Sequence, residues 1–415
     1  MVGKLLGTTY DLLVNRFRGT YVGFKPRRPN ELIIPRFVVL EKEHTHIAGH
    51  VRRHLGSSIL AHPAIVVDDT TWEIAGREVD RELRDIGRHP VVLRIRSNRY
   101  SEVQSVVDQL SRPPRVWSAG ASPLARRLYG PKRASLIVAV GGGTVIDVAK
   151  LAARQLHLPC VSVPTSLAND GIASPFAVID PEDVEPGLAQ VTVQTNTPLG
   201  IVIGLGHIRP ARGSDPAFFS EMLRSGIGDI VSNLTAALDW QLAADRGGEP
   251  LDYTAFLQSR SAGEVIVNRI LDGDAIEEDE FLLTLAAALV ASGEAMTRVG
   301  SSRPASGFEH KFYHAYRNLL ELPTIASHGV LVAVGTLVSA KAWDGPYAKV
   351  RGTFERVGLP VDRQGLAVYD LEPELVERAI RAADRIKPER FTVLEDRGAD
   401  ALVEAFRSAY GVGGS

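Results

Sequence analysis

The sequence predicts an α/β domain built on a parallel sheet over residues 1–210, followed by an all-helical domain over residues 211–415. Three observations carry this prediction. Short β-rich apolar runs alternate with helical spacing through the first half: Ala64–Val67 (AIVV), Val91–Ile95 (VVLRI), Leu136–Val140 (LIVAV), Cys160–Pro164 (CVSVP) and Leu199–Ile203 (LGIVI). Continuous apolar runs separated by helices are the pattern of a sheet covered on both faces. One run, Leu136–Val140, passes directly into three glycines, as a strand does when it turns tightly into a helix. Finally, the texture changes at the Pro/Gly-rich connection Ile208–Pro216 (IRPARGSDP). Beyond it the segments 218–246, 251–271, 277–299, 305–320, 328–343, 346–357, 371–386 and 398–410 all have helical spacing.

Composition narrows the function classes. A chain of 415 residues with 45% hydrophobic content is long enough for two or three cores of about 100–200 residues each. It is neither disordered nor fibrous. Its 47 basic and 49 acidic residues leave a net charge of −2, so no global positive field exists to hold nucleic acid or an anionic membrane. Cys160 is the one cysteine; it rules out an internal disulfide and a Cys-x-x-Cys site, which makes a reducing cytoplasm the expected compartment. Asp11 cuts the first apolar residues short of a signal peptide. The longest apolar stretch, Phe281–Ala291 (FLLTLAAALVA), falls short of the about 20 residues a bilayer span needs and reads as a buried helix, so no membrane insertion is expected. Gly411–Ser415 reads as a frayed tail.

Two turns carry potential chemistry. Gly141–Lys150 (GGGTVIDVAK) is a glycine turn and helix start, where bare backbone N–H groups and the helix dipole favour a diphosphate. It is neither the Gly-x-Gly-x-x-Gly fingerprint nor a Walker loop, and glycine turns also serve tight packing alone. Asp147 and Lys150 stand three residues apart, the spacing of an ordinary helical ion pair. The second turn, Thr165–Pro175 (TSLANDGIASP), follows the adjacent predicted strand, where open α/β sheets place ligands. Thr165 and Ser166 suit a diphosphate and Asn169 and Asp170 suit substrate hydroxyls; the same residues also suit a capped loop. Asp68, at the end of its strand, either accepts from a ribose hydroxyl, disfavouring a 2′-phosphate, or caps the helix starting at Asp69–Glu73 (DTTWE).

The histidines divide into two sets. His46, His50 and His54 recur every four residues, and three ligands spread along about 12 Å of one helix face do not converge on one ion. The helical half offers Asp229 in Ser225–Asn233 (SGIGDIVSN), His310 and His314 in Phe308–His314 (FEHKFYH), and His328 in Ala326–Val330 (ASHGV). One carboxylate and two imidazoles from separate helices leave open positions for a substrate oxygen, as a catalytic Zn²⁺ or Fe²⁺ requires; satisfied core histidines are the other reading.

Read together, Gly141–Lys150, Pro164–Pro175, Gly226–Asn233 (GIGDIVSN), Ser301–His310 (SSRPASGFEH) and His328-Gly329 resemble the sn-glycerol-1-phosphate dehydrogenase family, within the iron-containing alcohol dehydrogenase and dehydroquinate synthase-like superfamily. The resemblance implies a Rossmann-like nucleotide-binding domain and a helical metal- and substrate-binding domain. It implies that Gly141, Gly142, Gly143, Thr144 and Val145 hold the diphosphate of NAD or NADP, and that Thr165, Ser166, Leu167, Ala168 and Ser174 line the rest of that site. It implies that Asp229, His310 and His328 hold one divalent metal, zinc in the usual case with Ni²⁺ or Fe²⁺ as alternatives, and that Asp170 and His314 meet the substrate. The implied reaction is reversible reduction of dihydroxyacetone phosphate to sn-glycerol 1-phosphate, a step towards phospholipid, by a homo-oligomer. His314, one turn from His310, suits a proton relay or substrate anchor. The substrate phosphate needs a cation, for which Arg303 and Lys311 are the neighbouring candidates. Val330 after His328-Gly329, Gly204 in its strand and the extension through Arg36 depart from the family pattern. The rival readings are a dehydrogenase of another phosphorylated ketone or polyol, and a dehydroquinate synthase-like cyclase that uses NAD transiently without net redox change. A scaffold without catalysis would show an eroded metal set, and all three ligands are present.

Overall fold

The computed structural model describes residues 35–43, 46–111, 134–181, 190–209, 216–246 and 248–413. Expectations for the first 34 residues, for the middle of the Pro/Gly connection at 210–215 and for the last two residues fall outside the described residues. The strands are β1 (Phe37–Glu41), β2 (Pro63–Val67), β3 (Val91–Arg94), β4 (Leu136–Gly141), β5 (Cys160–Pro164), β6 (Phe176–Ile179), β7 (Val191–Gln194) and β8 (Gly200–Gly204). Six form one sheet in the order β1-β8-β5-β4-β2-β3, and every pairing within it is parallel. β6 and β7 pair antiparallel as a separate ribbon. Every residue of β2, β4, β5 and β8 is buried, which is why these strands read as unbroken apolar runs rather than as alternation. β1 and the ribbon were not anticipated. β1 is an edge strand with one buried position, Phe37, and the ribbon alternates buried with more exposed residues; Phe37–Leu40 (FVVL) and Phe176–Ile179 (FAVI) are apolar runs as long as Ala64–Val67 (AIVV).

The helices are α1 (Ile47–Leu55), α2 (Arg77–Asp85), α3 (Tyr100–Ser111) and α4 (Gly143–Leu156) around the sheet, then α5 (Pro216–Val231), α6 (Asn233–Asp245), α7 (Tyr253–Asp272), α8 (Asp279–Val299), α9 (Phe308–His314), α10 (His328–Trp343), α11 (Tyr347–Val357), α12 (Arg363–Val368), α13 (Pro373–Ala382), α14 (Val393–Arg397) and α15 (Ala399–Tyr410). The expected helix 218–246 is broken at Ser232, whose hydroxyl donates to the Asp229 carbonyl at 2.6 Å while its own carbonyl accepts from Thr235 N–H at 3.0 Å. A serine back-bonded in this way bends a helix. α12 and α14, of six and five residues, are too short to show helical periodicity. α8 is longer than its apolar stretch, 21 residues at mean hydropathy 1.3, so by length and composition it matches a membrane span. Its Phe281, Leu282, Leu285 and Leu289 are nevertheless fully buried in the protein core, as the buried-helix reading expected.

Packing joins the two halves. On one face of the sheet Ile65, Val67, Val138 and Val140 meet Val51 of α1 and Val79 and Leu83 of α2. On the other, one continuous core runs from Ile137 and Ala139 through Val145 and Ile146 of α4 to Ile227, Leu285 and Val330 of the helical half. Glycines set the closest approaches. A Cβ on Gly226 would lie 1.8 Å from the Leu167 carbonyl oxygen, one on Gly228 2.2 Å from that of Gly329, and one on Gly329 1.7 Å from that of Ser225. Each obstacle is backbone, so α5 reaches both the loop after β5 and the start of α10 because side chains are missing there. Gly329→Ala is therefore expected to lower stability by about 3 kcal/mol, at the upper end of what overpacking costs; denaturant unfolding with the m-value unchanged checks it, and a loss under 1 kcal/mol would contradict the close packing.

Candidate active site

The parallel sheet creates one crevice by its connectivity. From β2 the chain goes on to β3 at one edge, whereas from β4 it goes to β5 on the other side, although β2 and β4 are neighbours. Their connections leave in opposite directions and the carboxyl ends open a cleft, the place where such sheets bind ligands. Gly141–Gly143 stands at that point. Gly142 is the N-cap of α4 and supplies no side-chain cap, so the first N–H groups of this helix remain for a ligand. A Cβ on Gly141 would sit 2.6 Å from Cβ of Val145, so this glycine serves the turn's packing. Ser166 and Asn169 face Gly142 and Gly143 from the second turn, which is fastened to the first by Thr165 N–H donating to the Gly141 carbonyl at 3.1 Å.

Not every expected cofactor residue faces the cleft with its side chain. Gly143, Thr144 and Ser174 line a cavity of about 360 Å³ beside it. Thr165, Ser166 and Ala168 are half-buried in the adjoining turn, while Val145 and Leu167 turn into the core and leave only backbone for a ligand. Asp147 and Lys150 form the expected i,i+3 ion pair at 2.9 Å. The Lys150 ammonium also donates to the carbonyls of Gly171 at 2.8 Å, Ser174 at 3.3 Å and Phe176, fastening α4 to the second turn. Asp68 takes the capping alternative: it accepts from Thr71 N–H at 2.7 Å while Thr71 Oγ1 accepts from Asp68 N–H at 3.0 Å.

Across the cavity, Asp229 from α5, His310 from α9 and His328 at the start of α10 converge, their ligand atoms all within 4.8 Å of one another. Asp229 Oδ1 lies 3.2 Å from His328 Nε2 and 3.7 Å from His310 Nε2, and Oδ2 accepts from the Asp170 N–H at 2.9 Å. Burial alone would raise the Asp229 pKa, but hydrogen bonds from the two histidines outweigh it and hold the carboxyl well below its usual range. Burial works against the His310 cation, yet hydrogen bonds to Asp229 and Glu309 raise its pKa to about 9. A buried carboxylate facing two imidazole nitrogens from separate helices suits a divalent ion with open coordination positions, and the O,N,N donor set fits zinc, iron or nickel. His46, His50 and His54 do not converge: His46 caps Gly49, His50 meets Glu41 at 3.1 Å and His54 stacks on Phe37.

Glu309 escaped the sequence reading although it lies inside a quoted string. It is fully buried, and its Oε1 sits 3.1 Å from His310 Nδ1 and accepts from Gly307 N–H at 2.5 Å. A carboxylate on the far nitrogen fixes the ring and its tautomer, so that Nε2 points to the metal position. Asp170 lines the cavity, with Ser292 donating to its Oδ2 at 2.8 Å. Burial first, and the neighbouring Asp229 second, push its pKa up to about 7. His314 lines the cavity too, and Asn318 Nδ2 lies 2.8 Å from its Nδ1. Burial, then the nearby Lys387, drive its pKa well below the usual imidazole value, so the ring is neutral. With an amide nitrogen donating to Nδ1, its proton sits at Nε2.

Arg303 and Lys311 are not brought to the cavity. Arg303 is 2% exposed, 2.8 Å from Glu249, and donates to the carbonyl of Phe391. Lys311 is 1% exposed and bound to Glu395 at 2.5 Å and to the Arg390 carbonyl at 3.2 Å. Buried cations need partners: Arg303 finds its carboxylate in Glu249, before α7, and a carbonyl at Phe391, while Lys311 is held by the segment before and within α14. The cations that do line the cavity are Arg317, just past α9, and Lys387, between α13 and α14.

A sheet with a glycine turn at its switch point, facing a carboxylate–dihistidine cluster across one cavity, defines a metal-dependent nucleotide-cofactor enzyme of the iron-containing alcohol dehydrogenase class. The family model described as "Iron-containing alcohol dehydrogenase" matches residues 44–211. The glycerol-1-phosphate dehydrogenase [NAD(P)+] of Pyrococcus furiosus is 34% identical over 372 residues, covering 89% of this chain and 94% of that one. The protein of the same name from Sulfurisphaera tokodaii is 39% identical, over 64% of this chain and 71% of that one. The chain belongs to the glycerol-1-phosphate dehydrogenase family. Among solved structures, a probable glycerol dehydrogenase from Sinorhizobium meliloti shares the fold at TM-score 0.65 and 17% identity, over 91% of this chain and 97% of that chain. A sulfoacetaldehyde reductase from Bifidobacterium kashiwanohense does so at 0.62 and 13%, over 95% and 100%.

Replacing Glu309 by Gln removes the charge that fixes His310 while keeping the side chain's size. Metal affinity is expected to fall about 10- to 100-fold, read by competition against a chelator; unchanged affinity would show that Glu309 does not orient the ligand.

Proposed function

We propose that the protein reversibly reduces dihydroxyacetone phosphate to sn-glycerol 1-phosphate with NADH or NADPH. The observation that carries this reading is one cavity lined both by Gly143 and Thr144 and by His310 and His328; the names of the curated relatives point to the same reaction. When bound, a divalent ion polarises a carbonyl and reduced nicotinamide supplies hydride. Asp229, His310 and His328 hold the ion, zinc in the first instance. Gly141, Gly142, Gly143, Thr144 and the backbone of Val145 receive the cofactor diphosphate, with Thr165, Ser166, Ala168, Ser174 and the Leu167 backbone completing that site.

The chain's own groups hold the substrate. Asp170, which lines the cavity with Ser292 donating to its Oδ2, holds a substrate hydroxyl. The neutral His314 offers Nε2–H to a substrate oxygen, which makes it an anchor rather than the source of a strongly acidic proton. Residues 1–210 supply the nucleotide side and 211–415 the metal and substrate side. A reducing cytoplasm suits a chain whose one cysteine, Cys160, is buried and free, and a homo-oligomer is the assembly proposed.

Zinc-loaded protein is expected to oxidise NADH or NADPH when dihydroxyacetone phosphate is added, to stop after EDTA treatment and to resume when zinc is restored, all followed by nicotinamide absorbance. Chiral analysis of the product should give the sn-1 isomer. Substrate consumption without net cofactor oxidation would instead identify a cyclase, and cofactor oxidation only with other phosphorylated ketones would replace the substrate.

A further inference from the structure

The displacement of Arg303 and Lys311 from the cavity leaves the substrate's dianionic end without the cations proposed for it. The segment that those two residues hold supplies another. Arg303 donates to the Phe391 carbonyl and Lys311 to the Arg390 carbonyl, while Arg390 donates to the Ser306 carbonyl at 2.9 Å and to Ser302 Oγ at 3.1 Å. Three cations thus brace residues 390–391 against the loop before α9. Arg390 N–H in turn donates to the Lys387 carbonyl at 2.8 Å, closing a turn that presents Lys387 to the cavity.

Lys387 is held in an unusual backbone state. Its φ is +44°, in the left-handed region that non-glycine residues avoid, and the following residue is Pro388, which restricts it further. Strain of this kind persists where surrounding structure enforces it, and of the described non-glycine residues with positive φ only Lys387 lines the cavity. Its ammonium lies near His314, on whose ring it exerts the largest charge effect, and partial burial pushes its own pKa down to about 7. A bound dianion would reverse that cost by supplying the missing counter-charge. Arg317 stands one turn beyond His314 and lines the same cavity.

We infer that Lys387, with Arg317 and the Nε2–H of His314, forms the anion subsite that takes the phosphate of the substrate. Arg303, Lys311 and Arg390 are positioning residues that hold the Lys387 turn. A compact ammonium, a forked guanidinium and a neutral N–H donor together suit the three terminal oxygens of a phosphate monoester. This assignment deepens the proposed reaction by naming what selects a phosphorylated ketone over the bare one.

The test uses the zinc-loaded protein and the variants Lys387→Asn, whose side chain tolerates a left-handed backbone, and Lys387→Arg. Asn at this position should raise KM for dihydroxyacetone phosphate about 10- to 100-fold, as loss of a hydrogen bond to a charged group does. It should leave bound zinc unchanged and cost kcat/KM for unphosphorylated dihydroxyacetone far less than for the phosphorylated ketone, and Arg should recover part of the loss. Inorganic phosphate binding, followed by calorimetry, should weaken in parallel. A KM and a phosphate affinity both unchanged in Lys387→Asn would overturn the assignment, and so would equal losses for the two ketones. If the wild type reduces no dihydroxyacetone phosphate at all, the functional reading fails alone, because the phosphate titration of wild type against Lys387→Asn still decides the subsite.

Discussion

Everything in the site depends on where one buried carboxylate is held. Asp229 is 3% exposed, and its two oxygens face in different directions: Oδ1 towards the imidazoles of His310 and His328, Oδ2 towards the N–H of Asp170 in the turn after β5. A charge this buried is tolerable only when each lone pair has a partner. Its partners come from three separate places in the chain, so the same requirement draws the cofactor-side turn and two helices of the other half together. The metal position and the nucleotide cleft thus share one electrostatic constraint.

That constraint explains the glycines that flank it. Asp229 reaches the turn after β5 only because α5 runs within contact of the Leu167 carbonyl, which Gly226 permits, and it reaches His328 because Gly228 and Gly329 let α5 and α10 touch backbone to backbone. The short string that reads as a ligand motif is therefore also a packing motif. Asp229 and His328 cannot be separated from the helix crossing that brings them to 3.2 Å. Val330, a departure from the family pattern, is fully buried in the continuous core and so contributes packing to that crossing, not a contact to the metal position.

The legible parts of this protein share a physical property: their role is visible in a local window. Buried central strands read as apolar runs, and the glycine turn reads as a turn because conformation is a near-neighbour matter. His310 and His328 were legible as candidate ligands through the strings around them, and the fold brings both to Asp229. Glu309 is adjacent to a named residue and is still not legible in the sequence, since consecutive side chains on a helix do not normally face each other; its Oε1 reaches His310 Nδ1 while also accepting from Gly307 N–H at the start of α9. Arg303 and Lys311 failed for the opposite reason. Proximity in sequence to a candidate ligand is not proximity in space to the cavity: the local backbone turns both side chains away from it and into the protein.

The fate of those two cations shows how charge is divided in this half of the molecule. Arg303 and Lys311 are nearly inaccessible and bound by Glu249, Glu395 and backbone carbonyls, so their charges are spent on holding structure. Lys387, 76 residues beyond Lys311 in the sequence, keeps its ammonium beside the cavity at the expense of a strained backbone and a lowered affinity for its proton. An isolated chain segment would relax that strain. It endures because Arg390 grips the loop at Ser302 and Ser306 while Arg303 and Lys311 grip the carbonyls of Phe391 and Arg390. Buried cations held by carboxylates and backbone carbonyls build the frame, and of the two cations that line the cavity, Arg317 and Lys387, the second is the one the frame holds out of its preferred geometry.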